Sequence, residues 1–555
     1  MLKMVDGTGI IGVDMVCPLG GAVSPPQPPN FDKVEMEGVG SLMLPNSLKA
    51  PLERVELLGN SVQGENPAPD NPQEIKSAGR KSKNLFNAEA LIVGQVQTDG
   101  TINEKATTYR TVILDVPEDG KYRITYDSNS DYSMLYFTEL YVNGTYSHPY
   151  VKAFAGNSNI LLTLAKGKNI VSFSTHKESE RINFTKDYNI MIAAESASLV
   201  YEPYGYLLDV KVTGKNLFPY SNDFSNWKKY VNNSYFGSVT SDESGIKAEA
   251  LKPYAKIVSP TFKLKPNTEY TISAMIDTKD KSMSLGVRIF KNLNVSDYLK
   301  QIVFARRKST NNPQKVSATF ITDDLKDTNE VYLQLDCSWG DSILPTIVTF
   351  YDIQLELGNN ATTYEPYTEQ SMQIALDEPL RGIGDYKDVL TKDGVVRKIY
   401  PPYEINLNDL RDGGYSRTNT VMFSVKVQNK TVGYASLKPS ILCNIFPDCG
   451  LQTRNIYNDD KECIAVGGTI VLFRVNKSRL KDISSFEATK QSFIELMVDK
   501  KMIVEYALET PVTEPLPESV QQQLQALHSE NGVTHVFVDS GEVPCGIKLT
   551  YRKEK

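Results

Sequence analysis

The sequence predicts an all-β protein: tandem antiparallel β-sandwiches of the jelly-roll type, with an extended Pro-rich N-terminal segment and one C-terminal helix. Three observations carry that expectation. Apolar and polar residues alternate in short stretches, as in Tyr270, Ile272, Ala274 and Ile276 against Thr271, Ser273, Met275 and Asp277, the period of a strand with one buried face. Clusters of Asp, Asn, Gly, Lys and Pro separate these stretches, with no long amphipathic helix between them. Finally, words repeat: "KNLF" occurs at Lys83 to Phe86 and Lys215 to Phe218, and each copy is followed downstream by "YEPY", at Tyr201 to Tyr204 and Tyr364 to Tyr367.

A chain of 555 residues is too long for one core, and roughly three or four units are expected. Residues 1–82 are expected to be an extended N-terminal region with short strands. Its stretch "GGAVSPPQPPNF" can continue neither helix nor sheet and reads as a tether. One or two short strands follow, at Leu52 to Leu58 and Glu74 to Ser77. Residues 83–205 and 206–370 are read as two related sandwiches, each opened by KNLF and left through YEPY, where Pro203 and Pro366 hold the preceding Glu extended. Each also has a proline-led turn into a strand, "VPEDGKYRITYD" and "LKPNTEYTISAMID". Residues 371–555 are β-rich, with an Asp-Gly hairpin in "LTKDGVVRKI" and alternation in "TVMFSVKVQ". A helix is expected near 516–530, where Pro precedes the stripe Val520, Leu524 and Leu527. That stripe can pack on its own domain or across subunits. "THVFVDS" and "CGIKLTYRKEK" are read as a closing strand pair.

A net charge of −7 and the absence of a long Lys/Arg run argue against nucleic acid as a partner. No stretch has the length and apolarity of a membrane-spanning helix, and the N-terminus lacks the layout of a signal peptide, so a soluble cytosolic product without classical export is expected. The gaps between Cys443, Cys449 and Cys463 match no zinc-ligand pattern, so ordinary thiols are expected there. Catalysis is not expected. His148, His176, His528 and His535 have no G-x-S-x-G elbow beside them, and no linear motif singles out a carboxylate pair among the Asp and Glu.

The words "GNSVQGENPAPDNPQEIKSAG", "GKNLF", "IQLELGNNATTYEPY", "EPLRGIGDYKDVLTKDGVVRKI" and "YALETPVTEPLPE…LQALHS" together resemble those of tail-tip, tail-fibre and receptor-binding proteins of phages infecting Gram-positive bacteria. The resemblance implies a virion component at the tail tip or baseplate, built of tandem modules similar to carbohydrate-binding modules. It implies attachment to other tail proteins through the N-terminal region, contact with host cell-wall or capsule glycans, and assembly as a homo-oligomer, most commonly a trimer. It names no sugar.

Saccharides are held by an aromatic under the ring face and by amides, carboxylates and guanidinium groups on the hydroxyls. With Val331, Leu333, Leu335 and Cys337 inward, Tyr332, Gln334 and Asp336 line the opposite face; Arg288 and Phe290 stand on the non-core face of the neighbouring strand. These five and Trp339, whose parity favours burial of its ring, are the candidate glycan-binding residues, against the alternative of a merely solvated sheet. Trp227 is read as core. Asp223 and Asp352 stand where jelly-roll modules often carry a structural calcium, although two carboxylates fall short of the oxygens it needs. A purely structural tail component without sugar binding remains the alternative function, with a glycan depolymerase behind it.

Overall fold

The computed structural model describes residues 30–555 except 129–133, 150, 155–159, 176–187, 231, 243–244, 292–300, 309–310, 325–329, 415, 433–438, 450–455 and 457–459. Before residue 30 it describes only the strand pair Val5–Asp6 and Gly9–Ile10. Most of the Pro-rich stretch expected to be a tether, Cys17 and His176 thus lie outside the described residues.

The fold is all-β and built from antiparallel sheets. Its largest sheet draws strands from opposite ends of the sequence. Along it run Glu369–Leu376, Tyr206–Thr213, Gly532–Asp539, Ser41–Ser47, Gly546–Glu554, Glu53–Leu58, Val389–Thr391, Gly394–Glu404 and Ile503–Glu514. Phe31–Val39 adds to Gly546–Glu554 over its whole length. Leu44, Leu57, Leu208, Val210, Ile374, Val536, Ile547 and Leu549 bury in one core beneath it. The expected boundaries of 1–82 and 371–555 are crossed by this sheet: Phe31–Val39, Ser41–Ser47, Glu53–Leu58 and Arg80–Lys81 share it with Tyr206–Thr213, Glu369–Leu376, Val389–Thr391, Gly394–Glu404 and the C-terminal strands, and the two sandwiches are inserted between its strands. The expected closing strand pair is corrected too, since Ser41–Ser47 lies between Gly532–Asp539 and Gly546–Glu554. Alternation shows that a strand has one apolar face, but not which strand will lie beside it.

The two inserted units follow one strand order. In the first, Tyr109–Val116, Gly167–Thr175, Met134–Val142 and Val151–Phe154 form one sheet, and Tyr188–Ala194, Gly120–Ser128 and Ile160–Leu164 the other. In the second, Lys256–Val258, Glu330–Asp336, Gly286–Lys291 and Gln301–Arg306 correspond to the first sheet, and Thr346–Leu357, Glu269–Thr278 and Gln314–Ile321 to the other. The second unit adds the hairpin Phe236–Asp242 with Gly245–Ala250. The cores are separate, one around Phe86, Val112, Phe137, Phe173 and Ile192, the other around Phe218, Ile272, Val287, Leu333 and Phe350.

The repeated words form a clasp at the neck of each sandwich. Asn216 is fully buried; its Nδ2 donates to the carbonyls of Ile353 and Glu365 at 3.1 and 3.0 Å, and its Oδ1 accepts from the N–H groups of Phe218 and Leu355 at 3.0 and 3.1 Å. Asn84 repeats the pattern on Ile190, Glu202, Phe86 and Ile192 at 2.9–3.0 Å. One asparagine thus ties the entry segment to the last strand and to the Glu of YEPY. The lysines of KNLF reach the same glutamates, Lys215 to Glu365 at 2.7 Å and Lys83 to Glu202 at 3.7 Å. The tyrosines differ between copies: Tyr364 and Tyr367 are half-buried, whereas Tyr201 and Tyr204 are exposed.

Between Gly394–Glu404 and Ile503–Glu514 lies a further unit whose core holds Phe423, Phe446, Phe473, Phe493 and Tyr506. It contains an unexpected second helix, Phe486–Leu496, started by Ser485, whose side chain accepts from the Ala488 N–H. Cys449 and Cys463 form a disulfide with Cα atoms 5.0 Å apart, which corrects the expectation of thiols there; Cys337, Cys443 and Cys545 are free and buried. The expected C-terminal helix spans Glu518–Ala526. Its stripe is spent within its own domain, because Leu524 and Leu527 are buried in the central core with Val520 against it. Among the described residues no helix is long and apolar enough to cross a membrane.

Candidate functional site

Alternation in the second sandwich places the candidate residues as follows. Val331, Leu333, Leu335 and Cys337 enter the core, as do Val287 and Ile289, so Tyr332, Gln334 and Asp336 face away from it beside Arg288 and Phe290. Register then pairs them: Gly286 lies opposite Asp336, Arg288 opposite Gln334, and Phe290 opposite Tyr332.

The structure draws five of the six candidates into two linked groups. Arg288 Nε donates to Asp336 Oδ2 at 2.5 Å and its Nη1 to Gln301 Oε1 at 2.7 Å, while Gln334 Nε2 donates to Asp336 Oδ1 at 2.8 Å. The guanidinium lies over the Phe304 ring at 3.6 Å and over the sixth candidate, Trp339, at 4.9 Å. Phe290 and Tyr332 stack with centroids 5.6 Å apart. A guanidinium held on two sides by acceptors and on its faces by rings keeps one orientation, as a preorganised recognition group must.

This face is less open than expected. Gln334 and Asp336 are 1% and 0% exposed and Phe290 is buried, so Phe290 is no platform for a sugar ring. Trp339 departs in the other direction. It is half-buried, with Tyr254 edge-on at 5.2 Å, and Tyr254 and Tyr230 are exposed. Parity fails for Trp339 because the strand ends at Asp336, and beyond it alternation no longer fixes direction.

Two polar atoms at the bottom of the face lack partners: Gln334 Oε1 and Tyr332 Oη are buried and make no hydrogen bond. Burial pushes the Tyr332 phenol up to about 12, Tyr230 adding to the effect, so Tyr332 stays a neutral donor. Burial also pushes the Asp336 carboxyl up, opposed by the Arg288 guanidinium.

Phe304, Gln301, Lys256 and Tyr254 escaped the sequence reading. For Phe304 a signal was present, because Val303 and Ala305 are core residues and "QIVFAR" alternates. Tyr254 belongs to a loop and left no periodic trace. The calcium pair finds no gathered site. Asp223 Oδ1 accepts from the Ser225 N–H and hydroxyl at 3.0 and 2.7 Å, closing a turn. Asp352 lies within strand Thr346–Leu357 with φ +52. Among the described residues no group of three or more His, Cys, Asp or Glu could hold a metal ion.

The class these observations define is a modular antiparallel β protein with two inserted jelly-roll-type sandwiches. No family model and no curated protein matches the chain. Solved structures that resemble it include a CBM4 carbohydrate-binding module, 14% identical with a TM-score of 0.20 over 26% of this chain and 97% of that one. A tandem CBM22 domain of a Paenibacillus barcinonensis protein is 11% identical, with a TM-score of 0.21 over 59% of this chain and 99% of that one. The CBM22-GH10 modules of a Clostridium thermocellum endo-1,4-β-D-xylanase, solved with xylohexaose, are 13% identical with a TM-score of 0.20 over 28% of this chain; only 30% of that chain is spanned. A triple jelly-roll turret protein of an archaeal virus is 10% identical with a TM-score of 0.14, over 89% of both chains. Carbohydrate-binding modules and a viral jelly-roll protein are among these structural neighbours.

Proposed function

We propose that this chain is a tail-tip or baseplate-associated attachment protein of a phage infecting Gram-positive bacteria, and that its second sandwich binds host cell-surface glycan through the face around Arg288. The five sequence words support the phage assignment. The unpartnered Gln334 Oε1 and Tyr332 Oη beside a fixed Arg288–Asp336 pair carry the binding reading. Buried polar atoms without partners are rare and costly; both atoms are closed to solvent, and a saccharide hydroxyl or water admitted by movement of the rim would satisfy them. Trp339 and Tyr254 supply ring faces at the edge. The reading includes location on the virion, several copies per particle as a symmetric trimer, and no catalytic step.

Strands Phe31–Val39, Ser41–Ser47 and Glu53–Leu58 are built into the central sheet, so virion attachment is assigned to the segment before them. Deletion of residues 1–29 tests this by loss of incorporation into particles. For the sugar site, the full-length protein is applied to an array of Gram-positive wall and capsule glycans beside Trp339→Ala and Tyr254→Ala. Binding that weakens in both variants at unchanged melting temperature supports the reading. Absence of binding supports the second reading, a structural spacer, which the burial of Phe290 and Asp336 favours. Release of reducing ends from purified wall would establish a depolymerase instead.

A further inference from the structure

We infer that the ligand of this face is an anionic glycan, one whose repeat carries a phosphate or carboxylate group; the inference rests on the glycan-binding reading above. Register places Lys256 opposite Asp336, Asp336 opposite Gly286, and Gly286 opposite Arg306. One row across four strands therefore carries Lys256, Asp336 and Arg306, with Arg288 in the next. Ile257 and Ala305 are core residues, so Lys256 and Arg306 turn to the same face as Arg288.

The single carboxylate in this row is already used. Asp336 is fully buried, held by Arg288 and Gln334 and also in the field of Lys256, so this row and the next set one carboxylate against three cations, Arg288, Lys256 and Arg306. Lys256 lies over the Tyr230 ring at 5.9 Å, and Arg306 is exposed. Glu330, on the same strand side, is about 20 Å along the strand from Asp336 at the usual rise per residue. The equivalent face of the first sandwich has the opposite character. It centres on Glu139, a buried carboxylate that accepts from Gln95 Nε2 at 2.6 Å and lies 3.2 Å from His148 Nδ1. Anion recognition is thus assigned to the second sandwich alone. A net charge of −7 repels polyanions from the chain as a whole, so a polyanion that binds must find a local cationic site.

The test measures binding of the full-length protein to three soluble polymers: poly(glycerol phosphate), polygalacturonate and neutral dextran. The double variant Lys256→Gln/Arg306→Gln, which leaves the buried Arg288–Asp336 pair intact, is measured beside it. The expected result is binding to one or both polyanions, weaker as salt rises, and about tenfold weaker in the double variant at unchanged melting temperature, because each solvated charge contributes up to about fivefold. Which polyanion binds tells phosphate from carboxylate. Salt-insensitive binding to dextran, or to a neutral glycan of the array, overturns the inference while the glycan reading stands. Equal binding of a polyanion by wild type and variant also overturns it. No binding to any polymer or array glycan removes the glycan reading together with it.

Discussion

Replacing Asn216 by Ala should unlatch the second sandwich without touching its core. The side chain is fully buried and makes four hydrogen bonds, all to backbone groups. Alanine strands two carbonyls and two N–H groups. At about 1 kcal/mol for each net bond the loss is about 4 kcal/mol, and less where water enters the space left behind. For a unit of this size that lowers its melting temperature by about 8–16 °C. Calorimetry of the full chain reads the shift, and hydrogen exchange in Thr346–Leu357 localises it. Asn84→Ala should do the same to the first sandwich while the second stays in place. A loss below about 1 kcal/mol, or faster exchange spread evenly over the whole chain, would refute the clasp.

Tyr364→Ala should destabilise the second sandwich by about 1–3 kcal/mol, because Tyr364 is half-buried, whereas Tyr201→Ala, at a residue 42% exposed, should change the first by less than about 0.5 kcal/mol; paired melting curves check both. His535 is buried beside Lys265, and burial lowers its imidazole to about 4. Folding therefore excludes a proton, so this contribution is fully present above about pH 6.5 and is lost as the pH falls towards 4, by up to about 3 kcal/mol. Urea titrations between pH 4 and 7 should show that slope in wild type and a shallower one in His535→Gln. Cys449→Ser should destabilise the C-terminal unit by about 2–4 kcal/mol, read as lost hydrogen-exchange protection in Cys463–Asn476, and reduction of the wild type should have the same effect.

What could be read from the sequence follows from the range of each signal. Strand faces are local: two-residue periodicity placed Tyr270, Ile272, Val287, Leu333 and Cys337 in the core, and all five are buried. Pairing between distant segments leaves no such trace, so nothing local showed that Ser41–Ser47 would separate the last two strands. KNLF and YEPY marked the sandwiches as related, yet periodicity treats Asn84 and Asn216 as ordinary polar residues, and only geometry exposes the clasp. Helix Phe486–Leu496 is short and follows strands of strong alternation, which hid its Ser485 cap. At the candidate site, register brought Arg288, Gln334 and Asp336 together as alternation implied. Burial did not follow from alternation, because the loop residues that flank the outer face, Tyr254 and Trp339 among them, carry no period.

Attachment of the particle to wall glycan through the second sandwich, as proposed, has a direct consequence for whole cells. Its most direct test is sedimentation of labelled full-length protein with intact Gram-positive cells, before and after chemical removal of wall polysaccharide, with Trp339→Ala beside wild type. Some strains should retain the protein, stripping the polysaccharide should abolish retention, and the variant should be retained several-fold less at unchanged melting temperature. Retention that survives stripping, or that is equal for wild type and variant, would contradict the proposal.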